Sequence, residues 1–333
     1  MSQVKMEEAR QQKVRKSPLA MFSDAAMRVE KVRVAAQVRL RHLQRLGKTC
    51  PDTEELLKRS KDLEGWVDGR LAEHLRGHPA YWWFSHVKGC GGEVIAKIIG
   101  RTEDFGRYYD IDDPEIPPEA RARNPEQYIA LDKDGNEVVK TGIWVEAIER
   151  LQTPAKYRVL SGHWPGAEKK RGERLSYDAE LKMLYWRGGR SLLLARGKFY
   201  QFYLDYKDYL ARREEGKGIR IVPTPRVRYC YNCNKEVVKK AAKFCPDCGE
   251  PLSLKKEPPG YLYEGHLHHM AQRRMQQIFG DLLLVAWRQS IGLPVRDPYP
   301  IEFLGHSKVI RPEDMMDKSC GRRGCPICHG REL

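Results

Sequence analysis

His86-Val87-Lys88-Gly89-Cys90-Gly91-Gly92 runs directly into Glu93-Val94-Ile95-Ala96-Lys97-Ile98-Ile99-Gly100. A glycine-rich turn therefore sits ahead of an apolar helical run. The order hydrophobic-x-Gly-hydrophobic-Gly is what a helix-hairpin-helix requires. Its glycines let backbone N–H groups approach a phosphate, and the helix that follows adds the partial positive charge of its N-terminus. Contacts of this kind hold a nucleic-acid backbone without reading sequence. Lys88, Gly89, Gly91, Gly92 and Lys97 are the candidate nucleic-acid contacts here.

Upstream of the turn the pattern is helical. Val29, Val32, Ala36, Leu40 and Leu43 recur at spacings of three and four, with Arg28, Lys31, Arg33, Arg39, Arg41 and Arg45 on the other face. Gly47 and Pro51 end this helix. A second helix from about Asp52 turns Leu56, Leu63, Val67, Leu71 and Leu75 one way. Residues 21–78 thus read as a coiled-coil-like helix pair, and 79–105 as the helix-hairpin-helix. Residues 1–20, ending in Ser17-Pro18, read as an unstructured lead-in.

Downstream, residues 106–140 form an acidic insert. Asp110, Asp112, Asp113, Glu115 and Glu119 lie among Pro114, Pro117 and Pro118, which reads as loop. Two short β-prone runs around Asp134-Gly135 then predict a hairpin. Residues 141–225 read as a helical body, beginning with a helix through Trp144, Ala147, Ile148 and Leu151. A basic glycine stretch follows, and its Lys169, Lys170, Arg171 and Arg174, with Lys182 beyond it, are further candidate nucleic-acid contacts. The next helix carries Lys182 and runs from Asp178 to Arg213, bent at Gly188-Gly189. Residues 226–255 hold four cysteines, and the Pro258-Pro259-Gly260 linker leads to a closing helix within 261–305. Residues 306–333 are a Cys/His tail. The fold class expected is mainly α, with a small β insert around the cysteines.

Composition bounds the function. The chain has 333 residues, and 60 Lys+Arg against 45 Asp+Glu give a net charge of +15. That excess favours a polyanionic partner, with nucleic acid the first candidate. No apolar run approaches the length of a membrane span, and the first 16 residues lack the apolar segment of a secretory signal. The chain is therefore expected in the cytoplasm. There, nine cysteines fit metal ligation better than disulfides.

Cys230-x2-Cys233 and Cys245-x2-Cys248 are two knuckles, each aiming two thiolates at one point. Together they predict a closed, structural tetrahedral Zn²⁺ site of zinc-ribbon type. With all four positions filled by protein, no reactive water is expected on the metal. Cys320, Cys325, Cys328 and His329 offer a second, less regular ligand set. Cys50 and Cys90 stand alone. His266, His268 and His269 begin a helix and point in different directions. Phe199, Phe202, Tyr203, Tyr206 and Tyr209 have the spacing of a packed seam; only exposed members would be free to stack bases.

The order of these pieces resembles the C-terminal half of the DEDD insertion-sequence transposases, also known as bridge-RNA-guided recombinases. The resemblance covers roughly residues 25–310. It rests on the helix pair, on His86 to Gly91, on Ile98-Ile99-Gly100 with Glu103-Asp104-Phe105, and on Leu160-Ser161-Gly162. It continues through Lys169 to Gly172, Tyr177 to Lys182, Tyr200-Tyr203-Tyr206-Lys207, and His268 through Trp287-Arg288. It implies DNA binding, DNA recombination and a homodimer or higher assembly. Two departures stand out. The family's N-terminal RuvC-like nuclease domain has no counterpart, because the 85 or so residues before the hairpin, beyond the lead-in, read as helical and basic with no room for a βαβ unit. The family's catalytic serine lies in the basic segment, and residues 165–174 hold none; Ser161 and Ser176 only flank it. The resemblance therefore implies a transposase-like DNA-binding protein without a complete nuclease centre. The alternatives are a serine-dependent recombinase using Ser161 or Ser176, a partner for a separate RuvC-like nuclease, or a module for structured RNA.

Overall fold

The computed structural model describes residues 17–131, 136–164, 166–167, 172–173, 175–225, 227–237, 243–296 and 309–317. Lys169, Lys170, Arg171, Arg174 and the tail set Cys320, Cys325, Cys328 and His329 lie outside them. The described chain is mainly helical with small sheets. No described helix is long and apolar enough to cross a membrane.

Helix α1 spans Pro18–Arg45 and α2 spans Pro51–Arg76. The expected lead-in therefore stops earlier than residue 20. Ser17 is the N-cap of α1, its hydroxyl accepting from Ala20 N at 3.0 Å, with Pro18 preset at the first helical position. Gly47 ends α1 with φ +66°, and Lys48 N donates to Leu43 O at 3.0 Å. The faces differ from the simple pattern. Val32, Leu56 and Leu63 are exposed, whereas Ala36, Val67, Leu71 and Leu75 are buried. Arg33 is not on a free basic face, because it pairs with Glu64 of α2.

The short helix α3 (Tyr81–Phe84) and the turn after it lead into α4 (Gly92–Glu103). Helix α4 is the centre of the first compact body. Ile95, Ile98 and Ile99 are fully covered. Gly100 sets the depth of its crossing with α1: a Cβ there would lie 2.6 Å from Leu19 O and 2.7 Å from Ser23 Cβ.

Strands β1 (Arg107–Asp110), β2 (Glu126–Leu131) and β3 (Glu137–Val145) form one antiparallel sheet in the order β1-β3-β2. The β2–β3 hairpin is the one expected around Asp134-Gly135. The acidic insert is more than loop, however. Tyr109 pairs with Ile143, and Tyr109, Ile116, Ala120, Ile143 and Val145 make a small core under the proline-broken segment. Trp144 corrects a second expectation. It belongs to β3, because Ile143-Trp144-Val145 continues a β-branched and aromatic run. The helix after it, α5, is only Ala147–Arg150.

Helix α6 (Pro154–Leu160) precedes α7 (Ala179–Ala195) and α8 (Lys198–Glu215). The expected bend at Gly188-Gly189 is absent, since both glycines lie inside α7. The break falls at Arg196-Gly197, where Arg196 takes the left-handed conformation at φ 52°. Strand β4 (Arg220–Val222), strands β5 (Arg228–Cys230) and β6 (Lys235–Val237), and strand β7 (Tyr261–Tyr263) precede the closing helix α9 (Glu264–Ser290). Strands β4 and β7 pair in parallel, with Arg220 beside Tyr261 and Val222 beside Tyr263. A 3₁₀ turn, Pro312–Met315, follows.

The chain divides into two compact bodies. One holds residues up to Lys198 and those from Gln276 onward; the other is Phe199–Met275. In the first, Trp83 packs on Phe279 at 5.6 Å, and Arg158 pairs with Asp281 at 2.9 Å. Arg288, 2 % exposed, donates to Pro294 O at 3.0 Å and caps the Ile148 carbonyl at 2.5 Å. In the second, buried Tyr203 shares a hydrogen bond with His268 Nδ1 at 2.6 Å.

One buried pair in the first body predicts a pH response. Burial pushes the Glu103 carboxyl up to about 7 and holds the His78 imidazole down, at about 4. Ser17 donates to Glu103, and Ala80 N donates to His78 Nδ1 at 3.1 Å. The protonated Glu103 favours the fold: its contribution is complete below 4.5 and lost as pH rises to about 7. Neutral His78 favours the fold: its contribution is complete above 6.5 and lost as pH falls to about 4. Between these limits the two slopes oppose. His78→Gln is therefore expected to lose stability steadily from pH 4.5 to 7, and Glu103→Gln to gain it from pH 4 to 6.5. Each slope is bounded by about 1.4 kcal/mol per pH unit, and wild type is flatter than either. Urea titrations at fixed pH measure this; three superimposable profiles would refute it.

Candidate metal centre and basic surface

The four sulfurs of Cys230, Cys233, Cys245 and Cys248 all lie within 4.8 Å of one another. Cys230 ends β5, Cys233 closes the turn into β6, and Cys245 and Cys248 flank a second turn. Cys230 Sγ and Cys248 Sγ are 3.5 Å apart; Cys245 Sγ and Cys233 Sγ are 3.8 Å apart. A tetrahedron with metal–sulfur bonds of ~2.3 Å has sulfur–sulfur edges of ~3.8 Å, so the cage has the size of one thiolate-bound ion. The chain also holds the sulfurs from outside. Cys233 N donates to Cys230 Sγ at 3.3 Å, and the Glu250 backbone amide and the Asn232 side chain hold the Cys248 thiol down, at about 6. Val237 and Leu252 pack beside Cys230 and Cys245. Among the described residues this is the one metal-sized ligand group. His266 instead meets Glu257 at 2.9 Å, and His268 meets Tyr203.

The glycine turn is built differently from the simplest phosphate cradle. Gly89 takes φ +89° and lies against α7, where a Cβ would meet Leu192 Cα and Ser191 O at 2.8 Å. Close packing as well as the turn thus demands glycine there. Lys88 N donates to Asp317 Oδ2 at 2.7 Å, and Lys198 N to Asp317 Oδ1 at 3.1 Å. The anion nearest the turn is therefore a carboxylate of the same chain. Gly91 and Gly92 are exposed at the start of α4. Lys97 corrects the expected contact set. It is fully buried, paired with Glu93 and 3.9 Å from both Glu30 and Asp68. Glu30 is held by Arg187 at 2.5 Å, below the usual carboxylate range, while burial pushes Asp68 up. Lys182 is half-buried, its ammonium 4.2 Å from the Tyr177 ring centre.

The two serines differ sharply. Ser161 is 3 % exposed and lies 3.0 Å from His163 Nδ1, a neighbour that spacing alone did not single out. His163 is itself buried, so the pair faces no open surface. Ser176 is exposed and lines an open cleft beside α6. Of the seam aromatics, Phe199 and Tyr203 are buried and Tyr209 is exposed. On α1, Arg39, Arg41 and Arg45, with Lys48 beyond it, are exposed and have no ion-pair partner among the described residues. No family model matches the chain, and no curated protein or solved structure matches it.

Proposed function

We propose that this chain is a transposase-like DNA-binding protein, related to the C-terminal half of the DEDD insertion-sequence transposases and acting without a complete nuclease centre of its own. The observation that carries it is the run of exposed, unpaired cations Arg39, Arg41, Arg45 and Lys48 along one end of the helix pair. Such groups neutralise phosphates and release counterions. The exposed backbone of Gly91 and Gly92 supports a helix-hairpin-helix contact at the start of α4, with the Lys88 amide already taken by Asp317. The four-cysteine module is read as a structural zinc ribbon that shapes the second body. Val38, Leu56, Leu63 and Trp66, exposed on the helix pair, support self-association.

Fluorescence anisotropy on a labelled DNA duplex across a salt series tests this. Affinity is expected to fall steeply with salt. The triple variant Arg39→Ala/Arg41→Ala/Arg45→Ala is expected to flatten the log–log slope by roughly three. A flat response in wild type would overturn the reading. Tighter binding of structured RNA of equal length would move it to RNA.

A further inference from the structure

In the first body, an open cleft of 680 Å³ lies between β1, the proline-broken segment after it, and the stretch from Arg150 to Leu160. That volume is in the range of sites for small organic ligands. Its polar side is strongly cationic. Arg107, Arg121, Arg150 and Lys156 line it, against the single carboxylate of Glu115. Two of the cations are already committed. Arg107 pairs with Glu115 at 2.9 Å, and Arg121 donates to Ile116 O and Pro114 O at 3.2 and 3.0 Å. The Arg150 guanidinium and the Lys156 ammonium have no hydrogen-bond or ion-pair partner among the described residues; Arg150 donates only through its backbone N–H, to Glu146 O at 3.1 Å. Apolar side chains share the lining with these cations, exposed Pro118 and Val159 among them, the latter 43 % exposed. Ser176 supplies a hydroxyl at the rim.

Two unpaired cations in one concave site call for a multiply charged anion. The volume is much larger than a phosphate ion needs, and the apolar part of the lining is left without an occupant by any purely ionic ligand. We infer that this cleft binds a nucleoside 5′-phosphate, with its phosphate on Arg150 and Lys156 and its base against the exposed apolar side chains of Pro118 and Val159. Arg is suited to phosphate through its planar fork of donors, and Lys as a compact charge. The same chemistry arises from a free nucleotide or from the 5′-phosphorylated end of a strand. The site is separate from the cations of α1, so its failure and the failure of the DNA-binding reading are distinguishable.

Calorimetric titration of the full chain with AMP tests the assignment, with adenosine and inorganic phosphate as parallel ligands. AMP is expected to bind more tightly than either. Arg150→Gln/Lys156→Gln is expected to weaken AMP by at least about tenfold, and the exposed single variant Lys156→Gln by a smaller factor, with thermal melting unchanged. No AMP binding, equal binding of AMP and inorganic phosphate, or equal affinity of wild type and the double variant would overturn it. Short strands with a 5′-phosphate or a 5′-hydroxyl then identify the source. A phosphorylated strand that is displaced by AMP and prefers the phosphate assigns the cleft to strand ends. If neither strand competes with AMP, the cleft takes the free nucleotide.

Discussion

Stripping metal from the full chain with a strong chelator is expected to unfold residues 228–256 while leaving the first body folded. The local core around the sulfurs is small: beyond the cysteines themselves, Val237 and Leu252 are its buried members. Burying two such side chains contributes about 3–6 kcal/mol, less than the backbone entropy of ordering a segment of this length. Structural zinc in zinc-finger peptides contributes about 10–16 kcal/mol, so on the proposed zinc reading an ion in this cage would decide whether the segment folds. Cys230→Ser and Cys245→Ser should each reproduce the effect, because both sulfurs are buried in that core. Metal content by mass spectrometry and hydrogen exchange of residues 228–256 give the readout. At least one zinc per chain and loss of protection on chelation are expected. Less than one ion, or unchanged protection, would refute the zinc reading. Two ions per chain would place the second in the tail set of Cys320, Cys325, Cys328 and His329.

The second large effect is expected at Lys97. Its ammonium is fully buried among Glu93, Glu30 and Asp68, and Glu30 has a further partner in Arg187. Lys97→Met keeps most of the volume and removes the charge. Asp68 and Glu93 then face each other without their cation; breaking a fully buried pair costs about 3–5 kcal/mol, and because these two carboxylates are 30 % and 50 % exposed the expected loss lies below that range. The loss should be greatest at neutral pH. Asp68 already sits above the usual carboxylate range through burial, and loss of the cation raises it further. A carboxyl raised in the folded state stabilises when protonated, so the variant should recover as pH falls toward 4 and weaken as pH rises. Adding Asp68→Asn to Lys97→Met should restore part of the loss, because the two positions are coupled. Equal destabilisation at pH 4.5 and 7.5, or strict additivity, would show that the charge cluster is not the cause.

Some of this was legible in the residues. The Cys-x2-Cys pairs fix four sulfurs by local turn geometry, and the cage follows from spacing alone. Gly47, Pro51 and Ser17-Pro18 mark helix ends through local stereochemistry, although Ser17-Pro18 is a start rather than the end of a lead-in. Lys97 was not legible. On a helical wheel it is one more cation, and only the crossing of α4 with α1 and α2 surrounds it with carboxylates. The same holds for Arg33 and Glu64. The break at Arg196 was hidden because a non-glycine residue takes the left-handed conformation, while Gly189 serves close packing against Gln276 inside α7. The cleft beside α6 was invisible because its walls lie far apart in sequence and meet only once β1 joins β3.

The parallel pairing of β4 with β7 has a topological consequence. Neighbouring antiparallel strands can be joined by two residues, but parallel neighbours need a return path of about a dozen residues or more. Arg220 lies beside Tyr261 and Val222 beside Tyr263, so the chain leaving β4 must travel back along the strand before β7 begins. The cysteine-bearing segment is that return path. A return path of some length is a necessity of this connection, so replacing the segment with a tight turn should cost the β4–β7 ladder itself.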